Sequence, residues 1–243
     1  MAVTRRGVLV GGLIGGALVV GYGVRPRRYG PPLSPGPDEV AFNAWLKLGT
    51  NGVATVAVPQ VEMGQGVTTL LPQIAAVELG ADWRKVAVER APASAVYANV
   101  PLASRWADLA MPAMPSWFTG EEGVMVRRWA QDHAFTVTAD GTELAAYEAP
   151  LRAAAASARA LLCMAAAERW DVAWEECDTQ AGFVIHEGKR LSFGSLAQEA
   201  AEFDAPTTPP LREQPAREVA AAFPAGGALR FPRLDLPSKE DGS

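Results

Sequence analysis

Hydrophobic and polar positions along this chain change period several times, and each change predicts an element. Ala44 to Leu48 is a short apolar run broken by Lys47, and Asn51-Gly52 supplies a hairpin turn before the β-rich stretch Val53 to Val58. After a polar, Gly-rich loop, Leu70 to Gly80 reads as a helix and Val86-Ala87-Val88-Glu89-Arg90 as a returning strand, which together predict a βαβ-like unit. From Val100 to His133 no period persists, because Pro101, Pro112 and Pro115 interrupt it, and three tryptophans and three methionines gather around 106–130. This stretch is expected to be a long irregular insertion. Its aromatics serve either to cover a cofactor or contact a subunit, or simply to cap the local core.

The firmest helix runs from Thr142 to Trp170, where Leu144, Tyr147, Leu151, Ala155, Ala158 and Leu162 recur at helical spacing and Pro150 marks an alternative start. Its many alanines predict close packing on a sheet. Phe183-Val184-Ile185 and Arg190-Leu191-Ser192-Phe193 predict a hairpin across Glu187-Gly188, and Ser195-Leu196-Ala197-Gln198 reads as the capping-box start of a short helix. From Ala205 the chain is Pro-rich and extended. The expected fold class is α+β, with layers of mixed sheet and packed helices: a split βαβ around the Gly-rich loop and a second βα element after the long helix.

Hydrophobic residues make up 49% and charged residues 20% of the 243, which suits a folded globular domain rather than a disordered chain. The amino-terminal end departs from this. Thr4-Arg5-Arg6-Gly7 leads into an apolar, Gly-rich stretch to Val24 and then Arg25-Pro26-Arg27-Arg28, the pattern of a twin-arginine export signal. A permanent membrane anchor is the alternative, but the stretch falls at the short end of the roughly 17–25 residues a spanning helix needs, and its glycines weaken it. The sequence divides into a signal or anchor at 1–24, a Pro/Gly/Arg linker at 25–38, an α+β domain at 39–204 and a Pro-rich tail at 205–243. Export would place the protein in the periplasm or facing it, membrane-associated if the signal is retained.

Five of the 22 basic residues precede Asp38, so the folded part is more acidic than the overall net charge of −5, which excludes a nucleic-acid binder. Cys163 and Cys177 form no Cys-x-x-Cys, and His133 and His186 stand apart, so no metal-ligand set is read from the sequence. Export would permit a disulfide between the two cysteines, although two separate thiols are at least as favoured.

Between the predicted strand and helix lies Val61-Glu62-Met63-Gly64-Gln65-Gly66-Val67-Thr68-Thr69. Glycine permits positive φ and close approach of a ligand to the backbone, and the following helix aims its free N–H groups and positive dipole end at the loop. Such a loop suits a phosphate, and Gln65 adds two donors and an acceptor. A bare Gly-x-Gly is also an ordinary tight turn; the strand before it and the helix after it raise it above that.

Taken with Asn43-Ala44-Trp45-Leu46-Lys47, Glu78-Leu79-Gly80-Ala81-Asp82-Trp83, Tyr97-Ala98-Asn99 and Tyr147-Glu148-Ala149-Pro150-Leu151-Arg152, the loop resembles the start of a molybdenum hydroxylase large subunit. The resemblance is to the xanthine dehydrogenase family, in the branch of isoquinoline 1-oxidoreductase beta subunits and membrane-associated aldehyde dehydrogenases. It continues through Leu191-Ser192-Phe193-Gly194 into the tail. It implies that Met63, Gly64, Gln65 and Gly66 help hold a molybdenum-pyranopterin cofactor, with or without a cytosine dinucleotide tail, shared with a partner chain. It also implies oxidation of a small aldehyde or N-heteroaromatic substrate, with electrons leaving through an iron–sulfur subunit.

The family's catalytic glutamate belongs to a Gly-x-Gly-Glu-type motif that this sequence lacks, so no catalytic residue is assigned here. The remaining part of the large subunit would supply it, and the isolated chain is expected to be inactive. The family's second small-residue motif, Thr-Gly-Gly-Ser-Thr-Ser, falls on Thr138-Ala139-Asp140-Gly141-Thr142-Glu143, whose two carboxylates would repel a phosphate. Two alternatives stay open: a non-catalytic scaffold or interaction subunit of the same fold, and a truncated relic.

Overall fold

The computed structural model describes residues 29–110, 112 and 123–213. The expected export signal and most of the expected tail lie outside the described residues.

Four strands form one sheet in chain order: β1 (Glu39–Ala41), β2 (Leu46–Gly49), β3 (Ala54–Val58) and β4 (Val86–Arg90). The first three are antiparallel neighbours, whereas β3 and β4 run parallel with Val56 opposite Val88. Asn51-Gly52 makes the β2–β3 turn as its sequence predicts: the Asn51 side-chain oxygen accepts from the Val53 amide at 2.9 Å, and Gly52 takes φ 80°. The chain crosses from β3 to β4 through α1 (Val67–Leu79). The expected split βαβ therefore has its two parallel strands as direct neighbours. Helix α1 ends at Gly80, where φ is 75° and a Cβ would lie 2.5 Å from the Thr179 carbonyl oxygen, so only glycine fits.

Part of the region expected to be irregular is helical. It contains α2 (Val100–Arg105), α3 (Ala107–Ala110) and α4 (Val124–Asp132). Asn99 caps α2 by accepting from the Leu102 amide at 3.1 Å, and Pro101 sits in the first turn, where its missing N–H costs no helical bond. Ala103, Ala107, Val126 and Ala130 bury a small second core, with Trp129 and Phe135 packed against it. α2 and α3 are too short to repeat a period, and α4 repeats one only over nine residues.

The long helix, α5 (Glu143–Trp170), starts at Glu143 and continues through Pro150. Tyr147, Leu151, Ala155, Ala158 and Leu162 face the main core, which they share with β2, β3 and α1. A second, antiparallel sheet follows, of β5 (Asp178–Gln180), β6 (Phe183–His186) and β7 (Lys189–Ser192), its β6–β7 turn formed by Glu187 and Gly188 at φ 44° and 82°. The chain then enters α6 (Phe193–Ala200). Its cap is Ser192, which accepts from the Ser195 amide at 3.3 Å, so the helix begins earlier than the expected start at Ser195. A Cβ on Gly194 would fall 2.2 Å from the Thr50 carbonyl oxygen, which seats α6 directly on the β2–β3 turn.

Among the aromatics, Trp45 meets Tyr97 edge-on at 5.0 Å, the Tyr97 hydroxyl donates to the Ala44 carbonyl, and the Tyr147 hydroxyl donates to the Tyr97 carbonyl at 3.0 Å. Cys163 and Cys177 are separate free thiols. Burial pushes the Cys163 thiol up to about 12, which makes it an unreactive core residue.

Glu78 is fully buried on α1 and carries the main electrostatic contact between layers. Its carboxylate meets Arg152 and Arg159 of α5 at 3.3 Å each and accepts from the Arg212 backbone amide at 2.8 Å. Removing one partner of such a cluster strands the others in a low-dielectric interior. Glu78→Ala is therefore expected to lower unfolding free energy by about 3–5 kcal/mol, read from urea denaturation; a loss below about 1 kcal/mol would mean that the cluster behaves like a surface pair.

Candidate cofactor site

The Gly-rich loop is placed by the two elements it joins. β3 lies in the buried middle of its sheet, and α1 packs along α5, so the loop spans two fixed ends. Gly64 and Gly66 take φ 99° and 80°, which confirms the need for glycine at both. An added Cβ at Gly64 would meet nothing within 4 Å, so this stretch of backbone is open to close approach.

The loop's polar groups are largely satisfied from within. The Gln65 amide bridges it, its Oε1 accepting from the Met63 N–H at 2.6 Å and its Nε2 donating to the Val61 carbonyl at 2.9 Å. Glu62 does more. Its Oε1 accepts from the amides of Gly64 and Gly66, both at 2.8 Å, and its Oε2 accepts from the Thr68 amide at 3.1 Å and the Thr68 hydroxyl at 2.9 Å. Desolvation alone would raise this carboxyl, but the Gly66 and Thr68 amides, the Thr68 hydroxyl and the Gly64 amide outweigh it and bring it down to about 2. Sequence reading assigned the amides to a phosphate and gave Glu62 no role. The signal that could have found it is an acidic residue shortly before a helix N-terminus.

A second group of residues anchors the loop's root. The Val137 carbonyl accepts from Gln60 Nε2 at 3.2 Å and from Asn99 Nδ2 at 3.0 Å, and Asn99 also donates to the buried Thr142 hydroxyl at 2.8 Å. Three stretches distant in sequence, Gln60 before the loop, Asn99, and Val137 to Thr142, thus meet at one point. Gln60 is 4% exposed, and its Oε1 is a buried acceptor without a partner among the described residues. Within the segment matching the second small-residue motif, the Asp140 carboxylate accepts from the Trp106 indole at 3.0 Å, and its carbonyl accepts from Arg105 at 2.9 Å. Both groups of Asp140 are turned toward the junction of α2 and α3.

A separate cleft of about 660 Å³ lies between α1, α5 and β5, walled by Gln73, Trp83, Arg159, Asp178 and Arg212. No residue of the Gly-rich loop lines it. His133 and His186 each place Nδ1 against a backbone carbonyl, at 2.8 Å and 3.1 Å.

Comparison with known proteins bears on this loop directly. The family description "molybdopterin cofactor-binding domain" matches residues 14–116, a span that contains the whole Gly-rich loop. The isoquinoline 1-oxidoreductase subunit beta of Brevundimonas diminuta is 31% identical over 271 residues, covering 98% of this chain and 31% of that protein. Both matches support a molybdopterin-binding portion similar to part of such oxidoreductase subunits. A second relative, from Gluconacetobacter polyoxogenes, is named a membrane-bound aldehyde dehydrogenase (pyrroloquinoline-quinone); it is 25% identical over 249 residues, covering 100% of this chain and 27% of that protein. The chain thus spans about a third or less of the length of the curated relatives it matches.

The donor set of the loop is of the kind that holds an anion, and the Glu62 carboxylate occupies it. Three amides and a hydroxyl converge on one carboxylate, and the backbone at Gly64 is open. The same convergence limits the fit of a second anion. A second unit negative charge about 4 Å from Glu62 would be repelled by roughly 4 kcal/mol at an effective dielectric near 20. Met63 and Gly64 are the exposed and unobstructed part of the loop, and Gln65 holds its shape.

Because the folded Glu62 carboxyl lies below its ordinary value, its contribution to loop order is complete above about pH 4.5 and is lost as pH falls toward about 2. The amide resonances of Gly64 and Gly66 should follow that transition, with a midpoint well below the ordinary carboxyl range. A midpoint at the ordinary value would show that the carboxylate is not held by these amides.

Proposed function

We propose that this chain is the part of a molybdenum hydroxylase that shapes one wall of the molybdopterin site, in an enzyme oxidising an aldehyde or an N-heteroaromatic compound. The observation that carries this reading is the preformed loop at Glu62 to Thr68, lying inside the matched cofactor-binding span and joined to a rigid β3–α1 corner. When bound, the cofactor supplies the redox chemistry at molybdenum. The chain's own residues orient and exclude. Gly64 lets the cofactor approach the backbone, Met63 offers an exposed thioether side chain, and Gln65 holds both in place by bridging the Met63 amide and the Val61 carbonyl.

The remaining part of the molybdenum subunit supplies the catalytic glutamate and most of the substrate pocket, and an iron–sulfur subunit takes the electrons. Arg5-Arg6 and the apolar stretch after them support export of the assembled, cofactor-loaded protein to the periplasm, with the membrane face as its other destination if the stretch is retained. One observation favours a second reading, a scaffold of the same fold: Asp140 puts a carboxylate in the segment matching the second small-residue motif, and Glu62 occupies the amides of Gly64 and Gly66.

Gln65→Ala separates the two. Without the amide bridge the loop loses its fixed shape, so the assembled complex should keep its subunits in unchanged proportion while its molybdenum and pterin content falls several-fold. Cofactor content equal to wild type would overturn the cofactor-wall reading and support the scaffold.

A further inference from the structure

A strand, a Gly-rich turn and a helix N-terminus ordinarily make a phosphate site, because the first amides of the helix have no partner within it. Here those amides have one. The Glu62 carboxylate spans the Gly64, Gly66 and Thr68 amides with both oxygens and also accepts from the Thr68 hydroxyl. We infer that Glu62 is the loop's own anion, filling the place of a phosphate, so that the loop meets its cofactor through the neutral surface of Met63 and Gly64.

Three observations carry this. Each carboxylate oxygen takes two donors at ordinary hydrogen-bond lengths, which leaves the group fully engaged. The neighbours on either side of Glu62, Val61 and Met63, are 52% and 68% exposed, so apolar side chains flank the carboxylate at the loop's surface. Gly64 has open space on its Cβ side. The loop therefore presents Val61, Met63 and the open Gly64 backbone at its surface, with the charge of the exposed Glu62 held on its own amides. A flat heteroaromatic ring system suits that surface, and a phosphate or pyrophosphate group does not, because the amides that would grip it are occupied by a like charge.

The assignment of the outward face rests on the proposed cofactor-wall reading, but the filled anion site does not, so the test uses a probe that needs no molybdenum. Sodium pyrophosphate is titrated into the isotopically labelled full chain at neutral pH, and the amide resonances of Gly64, Gly66 and Thr68 are followed by two-dimensional NMR. Wild type is expected to show no saturable shift at these amides, whereas Glu62→Ala, which empties the site, shows saturable shifts confined to them. Glu62→Gln keeps an acceptor near the loop without the charge and guards against a collapsed loop in the alanine variant. A response in either variant with none in wild type supports the inference. Saturable shifts in wild type as large as in the variants overturn it, and so does silence in all three proteins, since the amides would then form no anion site once the carboxylate is gone. Failure of the cofactor-wall reading appears separately, as unchanged cofactor content in Gln65→Ala.

Discussion

Much of this molecule is set by how α1 is held against α5. The alanine-rich face of α5 lets the two helices pack closely over the sheet, and the buried Glu78 carboxylate fixes their register by meeting Arg152 and Arg159 on α5. Buried ion pairs add little net stability over apolar substitutes, but they tolerate few alternative alignments. Arg212 extends the same cluster, its backbone amide on Glu78 and its guanidinium on Asp178 and Thr179, so the start of the tail and the second sheet are tied to the same helix end. Gly80 completes the joint by allowing Thr179 to come within contact.

A fixed α1 makes the loop before it a defined surface. With β3 anchored in the sheet and α1 pinned at its far end, the residues between Pro59 and Val67 have little freedom left. Gln65 and Glu62 take up most of the remaining polar capacity. Preorganisation of this kind lowers the ordering cost of binding. It also decides what can bind: the charge that the helix N-terminus would offer a ligand is already met by the loop's own carboxylate. The point where Gln60, Asn99 and Val137 meet extends this order to the helical region beyond β4.

The parts of the fold legible in the sequence were those governed by local rules. Asn51-Gly52 and Glu187-Gly188 announced their turns, the β-rich run from Val53 to Val58 its strand, and the long run of alanines and leucines its helix. The helices between Val100 and Asp132 were not legible, because each is short and their burial depends on one another. Ser192 and Ser195 lie three apart at the start of α6, and nothing local to them distinguishes the cap from a residue inside the helix. In the candidate site, the glycines and their positive φ angles followed from the loop's place between strand and helix. The hold of Glu62 on the loop amides did not, since it depends on the loop folding back on itself. Glu78 reads as a surface residue between Val77 and Leu79, and only the arrival of two arginines from α5 explains its burial.

The most direct test is a structure of the native complex with its cofactor bound, at a resolution that places the loop's side chains. The account predicts the pterin system against Met63 and Gly64, with the Glu62 carboxylate still on the amides of Gly64, Gly66 and Thr68. A cofactor phosphate on those amides with Glu62 displaced, or a cofactor remote from the loop, would contradict it.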